Sequence, residues 1–255
     1  MPSNRKKPAP IRPARRATPK RSRDPVKSKQ TILQAATGEF CQHGFSGARV
    51  EAIAAKSRSN MRMIYHYFGN KEGLYLAVLE AGYARLRNRE HDLDLDRASP
   101  VDGIRALIRF TFDFFAENQD VLALINSENT QKGRFLRKLP NVRAMTVPLI
   151  DSISELLKSG VRQKQFRRGI NAIQFYVSLV ALSQLHILNR YTLSVIFDEN
   201  ISDTEWLRER RDHVEDVLLA YLAQTRSSDR KQSRHARRCS DRGKPIGSPI
   251  TSHTT

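Results

Sequence analysis

Apolar residues recur along this chain at intervals of three and four, and almost nowhere at intervals of two. That spacing is typical of amphipathic helices rather than strands. Together with Asp, Asn, Gly and Pro at the breaks, the pattern predicts an all-α fold of about nine helices. Their expected spans are 25–43, 50–54, 61–67, 70–89, 101–117, 119–130, 142–159, 170–192 and 203–225.

Several of these helices have recognisable ends in the sequence. Asp24 and Asn70 are suited to cap helix N-termini through their side-chain oxygens, and Pro25 fits the first helical position. Gly44 and Gly160 stand where a glycine would end a helix in the left-handed conformation. The helix boundaries are therefore predicted at these five positions.

Residues 50–72 carry the most informative pattern in the chain. Two short helices are separated by the turn Arg58-Ser59-Asn60, which is the layout of a helix-turn-helix. Ile53 on the first helix is expected to pack against Ile64 on the second. Asn60 is suited to cap the second helix, whose first residues would then enter a DNA major groove.

The second helix combines side chains that suit a DNA surface. Arg reads guanine in a bidentate manner, Met packs on thymine methyl groups, and Tyr hydroxyls bind phosphate oxygens. Lys71 follows in the first turn of the next helix, where backbone N–H groups also attract phosphate. The alternative is a pair of ordinary surface helices with half-buried tyrosines. The side chains expected to be exposed are Met61, Arg62, Met63, Tyr65, His66 and Tyr67.

Residues 27–79 resemble the N-terminal domain of the tetracycline-repressor (TetR) family. The matching residues are Ile32-Leu33, Ala35-Ala36, Phe40, Gly44, Ile53-Ala54, Tyr65, Tyr67-Phe68, Lys71-Glu72 and Leu74. The resemblance implies a three-helix DNA-binding head, a helical effector-binding body and a regulator of transcription. It also implies a DNA-contacting set of Asn60, Met61, Arg62, Met63, Tyr65, His66, Tyr67 and Lys71.

The chain departs from the family pattern at two positions. Arg58 replaces the turn glycine that would accept a positive φ, so the turn is expected to be strained or to adopt another conformation. Arg49 replaces the usual Thr before the first helix of the motif. We expect Arg49 to exchange a neutral phosphate contact for a charged one.

A second, weaker resemblance rests on 92–96, 110–113, Glu128-Asn129, Gly160, Phe166-Arg167 and 189–194. On those residues, most of 92–222 is similar to the ligand domain of a family subgroup that regulates nicotinate degradation. That resemblance suggests a small organic effector, aromatic or an organic acid. Apolar cavities with a few convergent polar groups are the usual form of such sites. The alternatives are plain core for the phenylalanines and a hydrogen-bonded interface histidine. The predicted pocket residues are Phe110, Phe114, Glu128, Asn129, Phe175, Gln184 and His186.

The last two long helices are expected to form a dimer interface. Residues 169–189 carry no charge, and Trp206 and Tyr221 lie on one apolar face. The uncharged stretch contains too many Asn, Gln, Ser and His side chains for a membrane span. A homodimer would present two heads to a palindrome in double-stranded DNA, with half-sites about 34–36 Å, or a multiple, apart. We therefore expect a cytoplasmic, nucleoid-associated homodimer with no membrane partner.

The charge of the chain is concentrated at its ends. The formal net charge is +18; residues 1–24 contain nine basic residues and one acidic, and residues 226–255 contain eight and two. The expected organisation is a disordered basic arm (1–24), a head (25–72), a body (73–225) and a disordered basic tail (226–255). A non-specific architectural DNA-binding protein, driven by these tails, is the alternative function.

Enzymatic motifs are lacking in the sequence. There is no Gly-x-Gly-x-x-Gly, no phosphate-binding loop and no His-Glu-x-x-His, and Gly44-Phe45-Ser46-Gly47 is one residue short of a nucleophile elbow. The acidic positions 92, 94 and 96 lack the Gly and Glu of a calcium loop. The two cysteines have no metal-type spacing. We therefore expect no enzyme, no cofactor and no metal.

Overall fold

A computed structural model describes residues 24–223, so the predictions for 1–23 and for the tail lie outside the described residues. This part of the chain is all-α, as predicted, and contains ten α-helices. They are α1 (Pro25–Gly47), α2 (Val50–Lys56), α3 (Met61–Phe68), α4 (Lys71–His91), α5 (Pro100–Glu117), α6 (Gln119–Thr130), α7 (Val142–Arg162), α8 (Ala172–Leu188), α9 (Arg190–Phe197) and α10 (Thr204–Leu222). Short 3₁₀ turns lie at Leu95–Arg97 and Leu136–Lys138.

The tenth helix arises because the predicted helix 170–192 is two helices. Asn189 leaves helical geometry, and its side-chain Nδ2 donates to the carbonyl of Leu185 at 2.9 Å. Such a local bond lets an Asn side chain compete with the helical ladder. α8 and α9 consequently meet at an angle of 71°.

The predicted N-caps are confirmed. The Oδ1 atoms of Asp24, Asn60 and Asn70 accept backbone N–H bonds at 3.0, 2.8 and 2.8 Å. Gly44 has φ 64° and ψ −178°, so it breaks α1 as expected, with a short continuation to Gly47. These caps fix where α1, α3 and α4 begin.

Gly160 does not end a helix, contrary to the prediction. It lies inside α7, which continues to Arg162, and the ring of Phe166 folds back onto it. A Cβ atom added at Gly160 would overlap that ring. The glycine is therefore required for close packing rather than for a positive φ.

The head has its own core, formed where α1, α2, α3 and α4 meet. Tyr75 and Phe135 bring the body into this core, their rings packing edge-on at 5.0 Å. The Sγ of Cys41 also donates to the carbonyl of Asp120 on α6. The head is thus packed onto α6. Its fully buried side chains include Ile32, Ala36, Phe40, Ile53, Ile64, Leu74, Tyr75 and Leu79.

The body core lies mainly between α5, α7, α8 and α10. It includes Ile104, Leu107, Ile153, Leu179 and Val214, all of them fully or almost fully buried. Within residues 24–223 no single helix has the length and apolarity of a bilayer span. Only the bent pair of α8 and α9 meets those criteria together.

Candidate nucleic-acid interface and body cavity

The turn between α2 and α3 is held by short hydrogen bonds. The hydroxyl of buried Ser57 donates to the carbonyl of Ile53 at 2.7 Å, and the N–H of Ser59 donates to that of Ala54 at 2.9 Å. Arg58 has φ 51°, the left-handed conformation that the replaced glycine would have adopted. The turn therefore keeps its geometry with an arginine, at the cost of backbone strain.

Helix α3 presents two different faces. Ile64 is fully buried against the head core, and the Asn60 cap fixes the first turn of the helix. Arg62, Tyr65 and His66 are exposed on the outside. The helix is thus anchored by one face and leaves an arginine, a tyrosine and a histidine available on the other.

Three other residues of α3 are less exposed than the sequence predicts. Met61, Met63 and Tyr67 are half-buried, and Met61 and Tyr67 pack against the head core. An eight-residue helix has only two turns, so Ile64 alone gives it little apolar surface for docking. The half-burial foreseen in the alternative interpretation applies to Tyr67, whereas Tyr65 is 40% exposed.

Lys71 and Arg49 lie at the two margins of the motif. The Nζ of Lys71 donates to the carbonyl of Ser46 at 3.4 Å and lies 5.0 Å from the ring centre of Phe45. The backbone N–H of Arg49 donates to Glu39 at 3.2 Å, while its side chain is exposed. The first contact holds the Lys71 side chain against the end of α1. The second fixes the backbone at Arg49 and leaves its side chain in solvent.

Glu39 organises the start of α2 from inside the head. Its carboxylate is buried and is 2.7 Å from the Nζ of Lys56. That hydrogen bond to Lys56 is the main reason why the pKa of Glu39 is lowered. Sequence reasoning did not identify this residue, because the pairing joins positions 17 residues apart.

The first turns of α1 also reach the helix-turn-helix. Lys27, Ser28 and Thr31, together with the capping residue Asp24, line a shallow cleft with Ser57, Arg58 and Ser59 of the turn. A basic and two hydroxyl side chains at this edge suit phosphate contacts. Their position cannot be inferred from the sequence, because only the packing of α1 brings them beside the turn.

The predicted effector residues do not lie together. Phe110 and Phe114 belong to a cluster with Leu86, whereas Phe175 belongs to the main body core. Glu128 is buried, and its Oε2 accepts the N–H groups of Phe135 and Leu136 at 3.2 and 2.9 Å, so it stabilises a chain turn. Asn129 is exposed and Gln184 half-buried.

His186 is a buried stacking residue. Its ring lies 4.9 Å from that of Phe112, nearly parallel to it, and 5.6 Å from that of Trp206. Neither ring nitrogen has a hydrogen-bond partner among the described residues. Burial, and secondarily the charge of Arg210, lowers the pKa of His186 to about 4, so the ring is neutral near pH 7. The hydrogen-bonded alternative is not observed here.

A cavity of about 420 Å³ lies elsewhere in the body, between the end of α4, the Leu95–Arg97 turn and α7. None of the seven predicted pocket residues lines it. Periodicity marks which face of a helix is apolar, but not which helices leave a space between them. The lining residues are Arg87, Asn88, Glu90, His91, Asp94, Leu95, Asp96, Met145, Pro148, Leu149 and Ser152.

Two of the lining residues, Arg87 and Glu90, belong to a buried hydrogen-bonded triad with Tyr176. Arg87 donates to Glu90 at 2.5 Å and to the hydroxyl of Tyr176 at 3.0 Å, and that hydroxyl donates to Glu90 at 3.3 Å. Burial raises the pKa of Glu90 to about 7, opposed by Arg87 and Tyr176. The triad joins α4 to α8 across the body.

Exposed apolar side chains lie on α8 and α9 and near the C-terminal end of α10. Val195 on α9 is 84% exposed, the largest value in this set. Contiguous exposed apolar surface of this kind is typical of interaction sites. The exposed side chains are Ile173, Val177, Leu185, Leu188, Tyr191, Val195, Ile196, Phe197, Val217 and Tyr221.

Comparison with known proteins decides the family. Residues 32–78 match the model "Bacterial regulatory proteins, tetR family", and residues 100–218 match "Tetracyclin repressor-like, C-terminal domain". The chain is 31% identical to the HTH-type transcriptional repressor NicS of Pseudomonas putida, over 81% of this chain and 98% of that protein. The chain belongs to the TetR family. It is therefore a DNA-binding regulator of transcription.

One further relative and two solved structures are also similar to this chain. A 114-residue stretch, 44% of this chain and 55% of the relative, is 38% identical to the HTH-type transcriptional repressor SCO4008 of Streptomyces coelicolor. The structure of SCO4942 from the same species has a TM-score of 0.59 at 22% identity, covering 76% of this chain and 98% of that one. FadR of Bacillus subtilis, solved with stearoyl-CoA, has a TM-score of 0.57 at 15% identity, covering 76% and 98%. These two structures support the fold.

Proposed function

We propose that this TetR-family protein is a homodimeric repressor that binds a palindromic operator and is released from it by a small organic effector. The observation that carries the proposal is the geometry of α3. Ile64 is buried and Asn60 caps the helix, while Arg62, Tyr65 and His66 remain exposed on its outer face. A helix anchored in this way can place the same three side chains in a major groove each time it docks.

The proposed DNA contacts of the head are of two kinds, to base edges and to phosphates. Arg62 is proposed to read a guanine edge, whereas Lys71 and Arg49 flank the helix and contact phosphates. Half-buried Met61, Met63 and Tyr67 shape the surface around them. The proposed set is Arg49, Asn60, Met61, Arg62, Met63, Tyr65, His66, Tyr67 and Lys71. Lys27, Ser28 and Thr31 are added as phosphate contacts at the edge of the turn.

The homodimer is proposed to form through α8 and α10. Ile173 and Val177 on α8 are spaced by four residues, as are Val217 and Tyr221 on α10, and all four are exposed. Side chains at that spacing form a stripe along one side of a helix. Pairing these stripes between two copies would bury both faces and place two heads on one palindrome.

Release is proposed to operate through α4. This helix begins at Lys71, beside the DNA-facing surface, and ends at His91, beside the 420 Å³ cavity. An effector shifts the spacing of the heads only to the extent that it binds one arrangement better than the other. The names of NicS and SCO4008 support repression as the outcome.

Selection from a random-sequence duplex library with the full-length protein tests the proposal. We expect enrichment of a palindrome with two half-sites, and a chain restricted to residues 24–223 should select the same motif with lower affinity. The architectural alternative expects no enriched motif and loss of binding when both tails are removed. That result would overturn the proposed function.

A further inference from the structure

The cavity between α4 and α7 has a definite chemical character. Its floor is apolar, formed by Leu95, Met145, Pro148 and Leu149, and α4 and the Leu95–Arg97 turn supply the ionisable groups. A volume of about 420 Å³ is within the range of small-molecule sites. Such a space suits a ligand with an apolar body and one polar end.

The ionisable groups around the cavity favour a positive polar end. Three carboxylates, Glu90, Asp94 and Asp96, line the cavity with a single guanidinium, Arg87. That guanidinium is already bonded to Glu90 and to Tyr176. An incoming organic anion would therefore meet carboxylates and an arginine that already has partners.

The two carboxylates at the cavity mouth are only weakly compensated. Asp94 lies 3.5 Å from Arg97, and both side chains are largely exposed to solvent, where such pairs contribute little. Asp96 accepts a hydrogen bond from the neutral hydroxyl of Ser152 at 2.8 Å. The lining therefore contains three carboxylates against one guanidinium.

Glu90 is the deepest of these carboxylates, at 3% exposure. Burial disfavours its charged form more than Arg87 and Tyr176 stabilise it, as its raised pKa shows. A second cation near Glu90 would stabilise the ionised carboxylate in a place where solvent does so poorly. The site is thus poised to gain from a positive ligand.

We propose that this cavity binds an organic cation, a protonated amine carried on an apolar body, with its ammonium directed to Glu90 and the mouth carboxylates. The inference rests on the proposed function in taking this ligand to be the effector. It differs from the organic acid that the sequence resemblance suggests. Glu90 also links α4 to α8 through Tyr176, so a ligand that draws Glu90 away from the Tyr176 hydroxyl loosens that link.

Matched pairs of probes test the charge preference. Calorimetric titration of the full-length protein would use benzylamine against benzoate, 3-(aminomethyl)pyridine against nicotinate, and hexylamine against hexanoate. We expect each amine that binds to do so at least about ten-fold more tightly than its carboxylate partner, the gain of one charged hydrogen bond. Tighter binding of the carboxylates, or no binding by any amine, would overturn the inference.

Variants of single carboxylates test which side chains cause the preference for amines over carboxylates. Glu90→Gln should remove most of it, and Glu80→Gln, an exposed carboxylate on the same helix outside the cavity, should leave it unchanged. Because Glu90→Gln leaves Arg87 without its anion and is at risk of unfolding, Asp96→Asn at the exposed mouth provides a second test. It should weaken amine binding several-fold. An unchanged preference in both cavity variants would contradict the assignment.

The binding measurements involve no DNA and are therefore independent of the proposed function. Adding a bound amine to the complex with the selected duplex then tests its role as effector. Loss of the complex at saturating amine supports that role. Binding of amine without loss of the complex would leave the cation site in place and overturn release by this ligand.

Discussion

The head and the body of this protein relate to their sequence in different ways. In the head, all the proposed DNA contacts except Lys27, Ser28 and Thr31 lie within 49–71, and the exposure of Arg62, Tyr65 and His66 follows from one short helix and its cap. In the body, the cavity is lined by two segments, 87–96 and 145–152, separated by some 50 residues. The comparison shows that the position and the cap of one short helix are readable from sequence. A cavity is a property of how helices pack.

The largest expected effect concerns packing in the body. Gly160→Asn should lower the free energy of unfolding by about 3 kcal/mol, because the new side chain would overlap the ring of Phe166 and bury a polar amide. Urea unfolding followed by circular dichroism measures this. The control is Gly38→Ala on the exposed side of α1, where an added Cβ would contact no other atom. This substitution should stabilise the protein, because Ala favours the helix more than Gly does.

Asn is well tolerated at a helix end in the left-handed conformation. A cost below about 1 kcal/mol for Gly160→Asn would therefore favour the helix-end role that the sequence predicted.

A second expected effect is the pH dependence that Glu90 confers on the body. Its folded pKa of about 7 lies above the ordinary 4.5, so the folded state holds the extra proton between these values. Stability contributed by that proton is present at low pH and is lost as the pH rises towards and past 7, with a slope of up to about 1.4 kcal/mol per pH unit.

Urea unfolding at pH 5, 6, 7 and 8 checks this effect. The difference in unfolding free energy between the wild type and Glu90→Gln should fall across the series. Taking the difference cancels the opposite slope from His186, whose pKa is lowered. A difference that stays level or rises with pH would contradict the burial of a titrating Glu90.

Removing either of two helix caps in the head should lower the unfolding free energy by the same amount, but the two changes should affect DNA binding differently. Asn60→Ala and Asn70→Ala each remove one capping bond of 2.8 Å, so each should cost about 1 kcal/mol of unfolding free energy. Only Asn60→Ala frays the helix proposed to enter the groove, and it should weaken operator binding more. Equal losses of binding, measured by fluorescence anisotropy, would argue against a special role for α3.

The smallest effect is on the salt dependence of DNA binding. Lys71→Ala should weaken binding similarly on all duplexes and reduce the slope of log K against log salt by about 1, the signature of one phosphate contact. Anisotropy titrations over a range of salt concentrations measure the slope. Arg89→Ala, an exposed cation at the far end of α4, should leave the slope unchanged. An unaltered slope for Lys71→Ala would remove this residue from the contact set.

The sequence predictions were accurate where the interaction joins residues close together in the chain, and inaccurate where it depends on residues farther away. The caps at Asp24, Asn60 and Asn70 were predicted correctly because each bond spans two or three residues. Gly160 was misassigned because its role depends on a ring that returns from Phe166. The split at Asn189 was missed because an uncharged stretch gives no break in periodicity.

The predicted pocket residues lie apart for the same physical reason. Phe110, Phe175 and His186 lie at apolar helical positions, but they pack in separate parts of the body. The Arg87–Glu90–Tyr176 triad joins positions more than 80 residues apart, and nothing in the local sequence marks it. In the head, in contrast, the exposed position of Arg62 could be predicted, because it depends on the local sequence of α3 and its cap.

The central claim is that the exposed face of α3 reads base sequence, and Arg62 tests it most directly. Selection from a random duplex library should be repeated with Arg62→Ala and with Arg89→Ala. The account predicts that Arg62→Ala alone relaxes one symmetric pair of operator positions, with a loss of about 1–3 kcal/mol on the wild-type motif. An identical motif for Arg62→Ala, or an equal relaxation by Arg89→Ala, would contradict it.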